Sequence, residues 1–531
     1  MTTTAATPLP PARRAPPPWY LVVPVVLSAL GVALPLGYLV WRAFDADATE
    51  LASVLLRWRN LELLVNTVGL TFAVLAVTVA IAVPTAWLTT RTDLPFARVL
   101  SVATVLPLAV PGYLMAYTLL TLGGAYGASA QLTGVALPRL SGFWGALVAL
   151  SLYNYPYMLL TVRAAMQRLD PGLEEVARSL GQPPRIVFWR VVLPHLRPAL
   201  LAGALLVSLH VITDFGVVSL MNFHTLSYAL YLQYELTDTV YASWIALVML
   251  ALAGTFIAAE LWLLRGLVLH RAGTGPGRRP RLHRLGWWKA PALLGVGALL
   301  GAAVLLPTAT IGFWATRAPL DGLAGELWAS TRDSLSASLP AAVLATTLAV
   351  PVAYIAQRYP GKRAIMFERL SYAGYATPSL AFALGLVVTT LHLAPWLYQT
   401  LFVLIYALSL HFLAEAVGPV RASLYHATPR LEEAARALGR GRLVVFVRVT
   451  LPLIRSGLMV SLALVFLSAM KELPLTVLLS PPGFDPLSLR IWSYTEEIAY
   501  ARAAPFALMI LVVSLGFVAV LLWQGGGENV E

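Results

Sequence analysis

Two carboxylates stand where an apolar chain should not carry them. Asp214 lies in TDFGVVSL and Glu472 in MKELPLTV, each about ten residues or more into an apolar run. A charge at the centre of a bilayer costs about 2.5–3.5 kcal/mol on insertion scales, so such a residue faces a partner or a wet cavity. Lys471 directly precedes Glu472. Asp214, Lys471 and Glu472 therefore read first as gate or scaffold residues, locked by an ion pair or a hydrogen bond. Their second reading is direct contact with cargo, since oxygen donors of this kind suit a hard cation. His210, His224, His392 and His411 are single histidines in or beside apolar runs and read as packing residues; no metal site is expected. Glu260 and Glu415 read as bridges between helices.

Chemistry beyond this is not indicated. No Ser/His/Asp set shares an element, and no G-x-x-x-x-G-K-[ST] loop is present. Pro360-Gly361-Lys362-Arg363 lacks the first glycine and the hydroxyl residue such a loop needs. The chain reads as a non-enzyme with no cofactor of its own. Cysteine is absent, which excludes disulfides and thiolate metal sites.

The elements that must position these residues are membrane helices. Of 531 residues, 59% are hydrophobic and 12% charged, about half the charge of a soluble protein. Apolar runs of about twenty residues recur, whereas the alternating ten-residue segments of a β-barrel do not appear. The fold class is all-α: a polytopic membrane protein of about twelve transmembrane helices in two parallel homologous halves. Spans are expected near 19–42, 62–90, 99–122, 142–163, 198–221, 242–268, 290–315, 334–357, 367–391, 397–420, 457–480 and 504–523. The organisation is a cytoplasmic leader (1–18), a first half (19–268, core 62–268), a linker (269–289), a second half (290–523, core 330–521) and a tail (524–531). The formal net charge of +12 reflects basic loops rather than nucleic-acid binding. With a cytoplasmic N-terminus, 28 of the 37 Lys and Arg residues fall in inner segments and none in the outer loop 222–241. Both termini are then cytoplasmic.

A polar elbow occurs twice. EEVARSLGQPPRIVFWRVVLP starts at Glu174 and EEAARALGRGRLVVFVRVTLP at Glu432, and 12 of the 21 paired positions are identical. Upstream the offset changes from 258 to 267, pairing Pro84 with Pro351, Arg91 with Arg358 and Pro111 with Pro378; an insertion near GAYGASAQLTGVALPRLSG accounts for the nine residues. Each elbow reads as a short amphipathic helix, N-capped by Asp170 or Thr428, with proline at its first position and Gly181 or Gly439 at its stop. Leu173, Val176, Ala177 and Leu180 share one face, as do Leu431, Ala434, Ala435 and Leu438. A helix with a small apolar ridge and a charged rim suits a groove on a partner; the competing reading is a helix lying on lipid head groups.

The pattern Glu-(Glu)-x-Ala-x-x-x-Gly, followed after nine residues by x-x-Leu-Pro, resembles the EAA loop of ABC-importer permeases, and two copies in one chain resemble the double permeases. The resemblance implies that Glu174, Glu175, Ala177, Gly181 and Pro194, with Glu432, Glu433, Ala435, Gly439 and Pro452, belong to loops that seat in cytoplasmic ATPase subunits. Two ATPase copies would dock there and spend the ATP. A periplasmic or lipid-anchored substrate-binding protein would dock opposite, in a cell inner membrane. Lys-Glu-Leu-Pro-x-Thr and Pro-x-Gly-Phe-Asp resemble the ferric-iron branch, with Ser480 where that branch usually has Arg. Thiamine, sulfate or polyamine cargo is the alternative within the family. An ion-driven secondary transporter is the alternative outside it, and would be expected to show broken helices at mid-membrane.

Overall fold

The computed structural model describes residues 17–45, 57–265, 282–359 and 372–526, with the isolated Thr49, Gly361 and Met366. The expected leader up to residue 16, the linker residues 266–281, the start of the 367–391 span and the tail from 527 lie outside the described residues.

The first half comprises α1 (Trp19–Ala43), α2 (Trp58–Arg91), α3 (Gly112–Leu122), α4 (Gly142–Arg168), α5 (Pro171–Ser179), α6 (Arg197–Thr213), α7 (Gly216–Leu220) and α8 (Thr239–Leu264). The second half repeats the series: α9 (Gly286–Ala315), α10 (Leu323–Arg358), α11 (Ser379–Leu393), α12 (Leu401–His411), α13 (Leu413–His426), α14 (Pro429–Ala437), α15 (Arg455–Lys471), α16 (Pro474–Leu479) and α17 (Tyr500–Gly526). Among the described residues seven helices are long and apolar enough to cross a bilayer, and four further pairs are bent. With the shorter α11 they occupy the twelve expected positions.

Two expected spans, 99–122 and 397–420, are sharply bent. The Ala97–Ala109 segment meets α3 at 90°, and α12 meets α13 at 51°. At the first bend Pro107 and Pro111 bring no N–H, so the helical ladder cannot run through.

Within the apolar helices, polar side chains are satisfied locally. In α2 the hydroxyls of Thr67, Thr71, Thr85 and Thr90 donate to the carbonyls four residues back. That suits a solvent offering no partners. Large apolar side chains such as Val65, Phe72, Leu261 and Trp262 also point outward, as bilayer-facing residues do.

The halves interlock through their leading helices. α1 packs on α8 of its own half and on α11 of the other, while α9 packs on α17 of its own half and on α3 of the other. The core pairs repeat as well: α2 with α4, and α10 with α13.

Candidate functional site

The elbows fold alike. Pro171 and Pro429 occupy the first turn of α5 and α14. Asp170 Oδ1 accepts from Gly172 N at 2.9 Å, as its cap position predicts. Thr428 makes no such bond, so its expected capping role fails. Both helices stop at a glycine with φ of +79°, Gly181 and Gly439, where a Cβ would be strained. The next residues close identical bonds, Gln182 N to Ala177 O (3.2 Å) and Arg440 N to Ala435 O (3.3 Å). After the turn each chain forms a π-turn, Phe188–Val192 and Phe446–Thr450, just ahead of Pro194 and Pro452. Proline has no N–H for the carbonyl four residues back, so the ladder widens there. The segment then bends by 63° into α6 and by 70° into α15.

The two glutamates of each elbow diverge. Glu174 and Glu432 turn inward and are 8% and 2% exposed. Glu174 pairs with Arg91 Nη1 (3.5 Å) and Arg178 Nη2 (3.3 Å). Glu432 accepts from Tyr354 Oη (2.8 Å) and Arg358 Nε (3.3 Å). Arg91 donates on to Met166 O and Leu169 O, and Arg358 to Ala427 O. The inner glutamates thus fasten each elbow to its own bundle. Glu175 and Glu433 face outward, and Ala177 and Ala435 are half-buried. The apolar ridge also faces outward: Leu180 is 74% and Leu438 83% exposed.

Among the described residues, only the first elbow carries a clasp. His283 forms a parallel bridge with Thr92, its N–H donating to Arg91 O at 2.8 Å. Leu285 N donates to Asp93 Oδ1 and Lys289 Nζ pairs with Asp93 Oδ2, both at 2.8 Å. The hydrogen bond from Lys289 holds the Asp93 carboxyl below the usual carboxylate range. His283 Nε2 accepts from Arg178 Nη2 at 2.5 Å. Burial first, then the adjacent Arg178 guanidinium, pushes the His283 imidazole below its ordinary range. Residues 282–289, expected as plain linker, are therefore structural.

Asp214 and Glu472 lie at breaks, not within continuous spans. α6 ends at Thr213 and α15 at Lys471, and each carboxylate caps the short helix that follows. Val217 N donates to Asp214 Oδ1 (2.8 Å), and Leu475 N to Glu472 Oε1 (3.4 Å). The surrounding bonds repeat. Ser227 Oγ donates to Asp214 O and Ser488 Oγ to Glu472 O. Leu226 N donates to Thr67 Oγ1 and Leu487 N to Ser334 Oγ. Gly112, at the start of α3, brings its Cα close to Asp214; Ser379, at the start of α11, hydrogen-bonds Glu472.

These features meet between the halves. Lys471 Nζ donates across to Leu108 O at 2.9 Å, so it is a cross-half hydrogen bond and not an ion pair with its neighbour. Asp214 and Glu472 are within electrostatic reach of each other. Glu415, read as a bridge between helices, does bridge: Oε2 accepts from Ser468 Oγ at 2.7 Å, and Tyr375 also bonds it. It is within electrostatic reach of Lys471 and Glu472, and Tyr157, its equivalent at offset 258, is within reach of Glu415. Asp214, Tyr157, Tyr375, Glu415, Lys471 and Glu472 are all half-buried. Tyr157 and Tyr375 were missed because tyrosines in an apolar chain look like core. His210 donates to Leu206 O and stacks on Tyr157, and His392 donates to Val388 O, both as packing residues. At the end away from the elbows, Trp492 Nε1 donates across to Ser219 Oγ at 3.1 Å and its ring packs on Phe215.

Comparison with known proteins decides between the classes. The family described as binding-protein-dependent transport system inner membrane component matches residues 79–259 and again 345–525. The chain belongs to this family. The permease is 31% identical over 503 residues to the Fe(3+)-transport system permease protein FbpB 2 of Haemophilus influenzae, covering 94% of this chain and 97% of that one. It is 31% identical to a probable molybdenum ABC transporter permease protein of Haloferax volcanii, over 46% of this chain and 86% of that protein. The sulfate transport system permease protein CysT of Salmonella typhimurium is 33% identical over 25% of this chain and 48% of its own length. The permease is thus a transport protein, multi-pass in the inner membrane, with both halves in one polypeptide. The broken helices expected of a secondary transporter are present, but in a fold whose family is that of the importers.

Proposed function

We propose that this permease is the membrane-spanning component of an ATP-driven importer of ferric iron. The observation that carries the cargo is the near full-length, two-half match to the Fe(3+)-transport permease. The lining supports it: Asp214, Glu415 and Glu472 outnumber Lys471, a balance that attracts a cation and repels sulfate or molybdate.

In this reading two ATPase copies seat on the outward ridges at 170–194 and 428–452, in the cytoplasm with both termini. The substrate-binding protein docks at the opposite end, on loops including 222–241 and 480–503. Closing of the ATPase pair pulls on Glu174 and Glu432, which are fastened to α2 and α10. The π-turns and the bends above them pass the movement to α6 and α15. Those helices end at Asp214 and Lys471-Glu472, so the stroke arrives at the gate. Parting of Lys471 from Leu108 O and of Trp492 from Ser219 opens opposite ends of the path.

The test is uptake of radioactive iron by cells carrying this permease with its neighbouring ATPase and binding protein. Iron accumulation that unlabelled ferric iron suppresses and sulfate does not is expected; the reverse competition overturns the cargo.

A further inference from the structure

The elbow end is not symmetric. In the second half the space between Tyr354, Glu432, Arg436 and Phe446 is filled by Tyr20 and Leu21 of α1, leaving about 10 Å³. At the equivalent place in the first half, Trp87, Glu174, Arg178 and Phe188 border a cavity of about 750 Å³. A second cavity of about 610 Å³ adjoins it and shares Pro84, Trp87, Leu285 and Trp288. Together they form one groove between α2 and the start of α9.

The groove is apolar inside and basic at its mouth. Its walls are side chains such as Val79, Val83, Val296 and Leu299. Arg185 and Arg284 line the mouth, and neither has an ion-pair partner among the described residues. Arg178 lines it too, with a buried Nε that lacks a hydrogen-bond acceptor. The Glu174 carboxylate there is already engaged by Arg91 and Arg178. Trp189 and Trp288 are exposed on the same rim, the residue type that settles at head-group level. A peptide would find no partners for its backbone on such walls, and a free phosphate would leave them empty. An acyl chain ending in a phosphodiester matches both parts.

We propose that this groove holds one anionic glycerophospholipid, with an acyl chain between α2 and α9 and its phosphate on Arg185 and Arg284. The lipid supports the first elbow as the start of α1 supports the second. The proposal is independent of the cargo and of the ATPase.

It is tested on the full-length permease by native mass spectrometry, after exchange into detergent containing dioleoylphosphatidylglycerol or dioleoylphosphatidylcholine. The wild type is expected to retain one phosphatidylglycerol and to hold it at least about tenfold more strongly than phosphatidylcholine. Arg185→Gln with Arg284→Gln, both at exposed positions, should erase that preference, and Val83→Trp should displace the lipid by filling the groove. Equal retention of the two lipids by the wild type would overturn the proposal. So would undiminished phosphatidylglycerol retention by the double arginine variant, or a wild type that retains no lipid because its own 266–281 segment occupies the groove.

Discussion

Glu432 is buried, ionic and shared by Tyr354 and Arg358, so its removal strands a half-buried guanidinium. Breaking one side of such a pair costs about 3–5 kcal/mol. Glu432→Ala should lower stability by about that much in denaturant titration of the solubilised permease. Glu432→Gln, which can still accept from Tyr354, should cost less. Equal behaviour of the two would show that the charge does not hold the elbow. At the proposed gate the logic differs. Asp214→Asn and Glu472→Gln keep an oxygen to cap α7 and α16, so insertion and yield should hold while the attraction for a cation falls. Iron uptake should drop about tenfold or more, one charge-assisted contact of about 1.4 kcal/mol. Unchanged uptake in both variants would make them scaffold.

Each elbow joins an anchored inner face to an exposed outer ridge. Leu180→Asp with Leu438→Asp removes nothing from the core, because both side chains are largely exposed. Co-purification of the ATPase should weaken by about 2 kcal/mol, roughly thirtyfold. Retained co-purification would place docking elsewhere. Gly181→Pro with Gly439→Pro attacks the turn itself, since proline cannot reach φ of +79°. Uptake should be abolished while the protein still inserts, as membrane fractionation would show. Much at this scale was legible in the sequence: the doubled Glu-Glu-x-Ala pattern, the stop glycines and the Leu-Pro gave the elbows their outline. What was not legible arises from tertiary partners. The inward turn of Glu174 and Glu432 depends on Arg91 and Arg358, some eighty residues away in the chain. The break at Asp214 has no proline or glycine before it; only Pro474, two residues after Glu472, hinted at the matching one. The π-turns follow from proline chemistry, but an apolar run does not reveal where the strain will be taken up.

The permease as a whole is two equivalent bundles that hold each other by their leading helices and meet at a polar seam. The twelve span positions were readable from apolar length, and the repeat offsets from alignment of the halves. The folded molecule adds where equivalence ends: Tyr157 faces the seam where its counterpart is Glu415, and a clasp at His283 secures the first elbow. These differences are invisible to periodicity because they replace one well-packed solution with another. The central claim is that force from a separate ATPase reaches the seam through both elbows. It is tested most directly in proteoliposomes holding the purified permease, supplied with binding protein and ferric iron. Uptake should require both the ATPase and ATP, and vanish with Leu180→Asp and Leu438→Asp. Uptake by the permease alone, driven by an imposed ion gradient, would contradict the account.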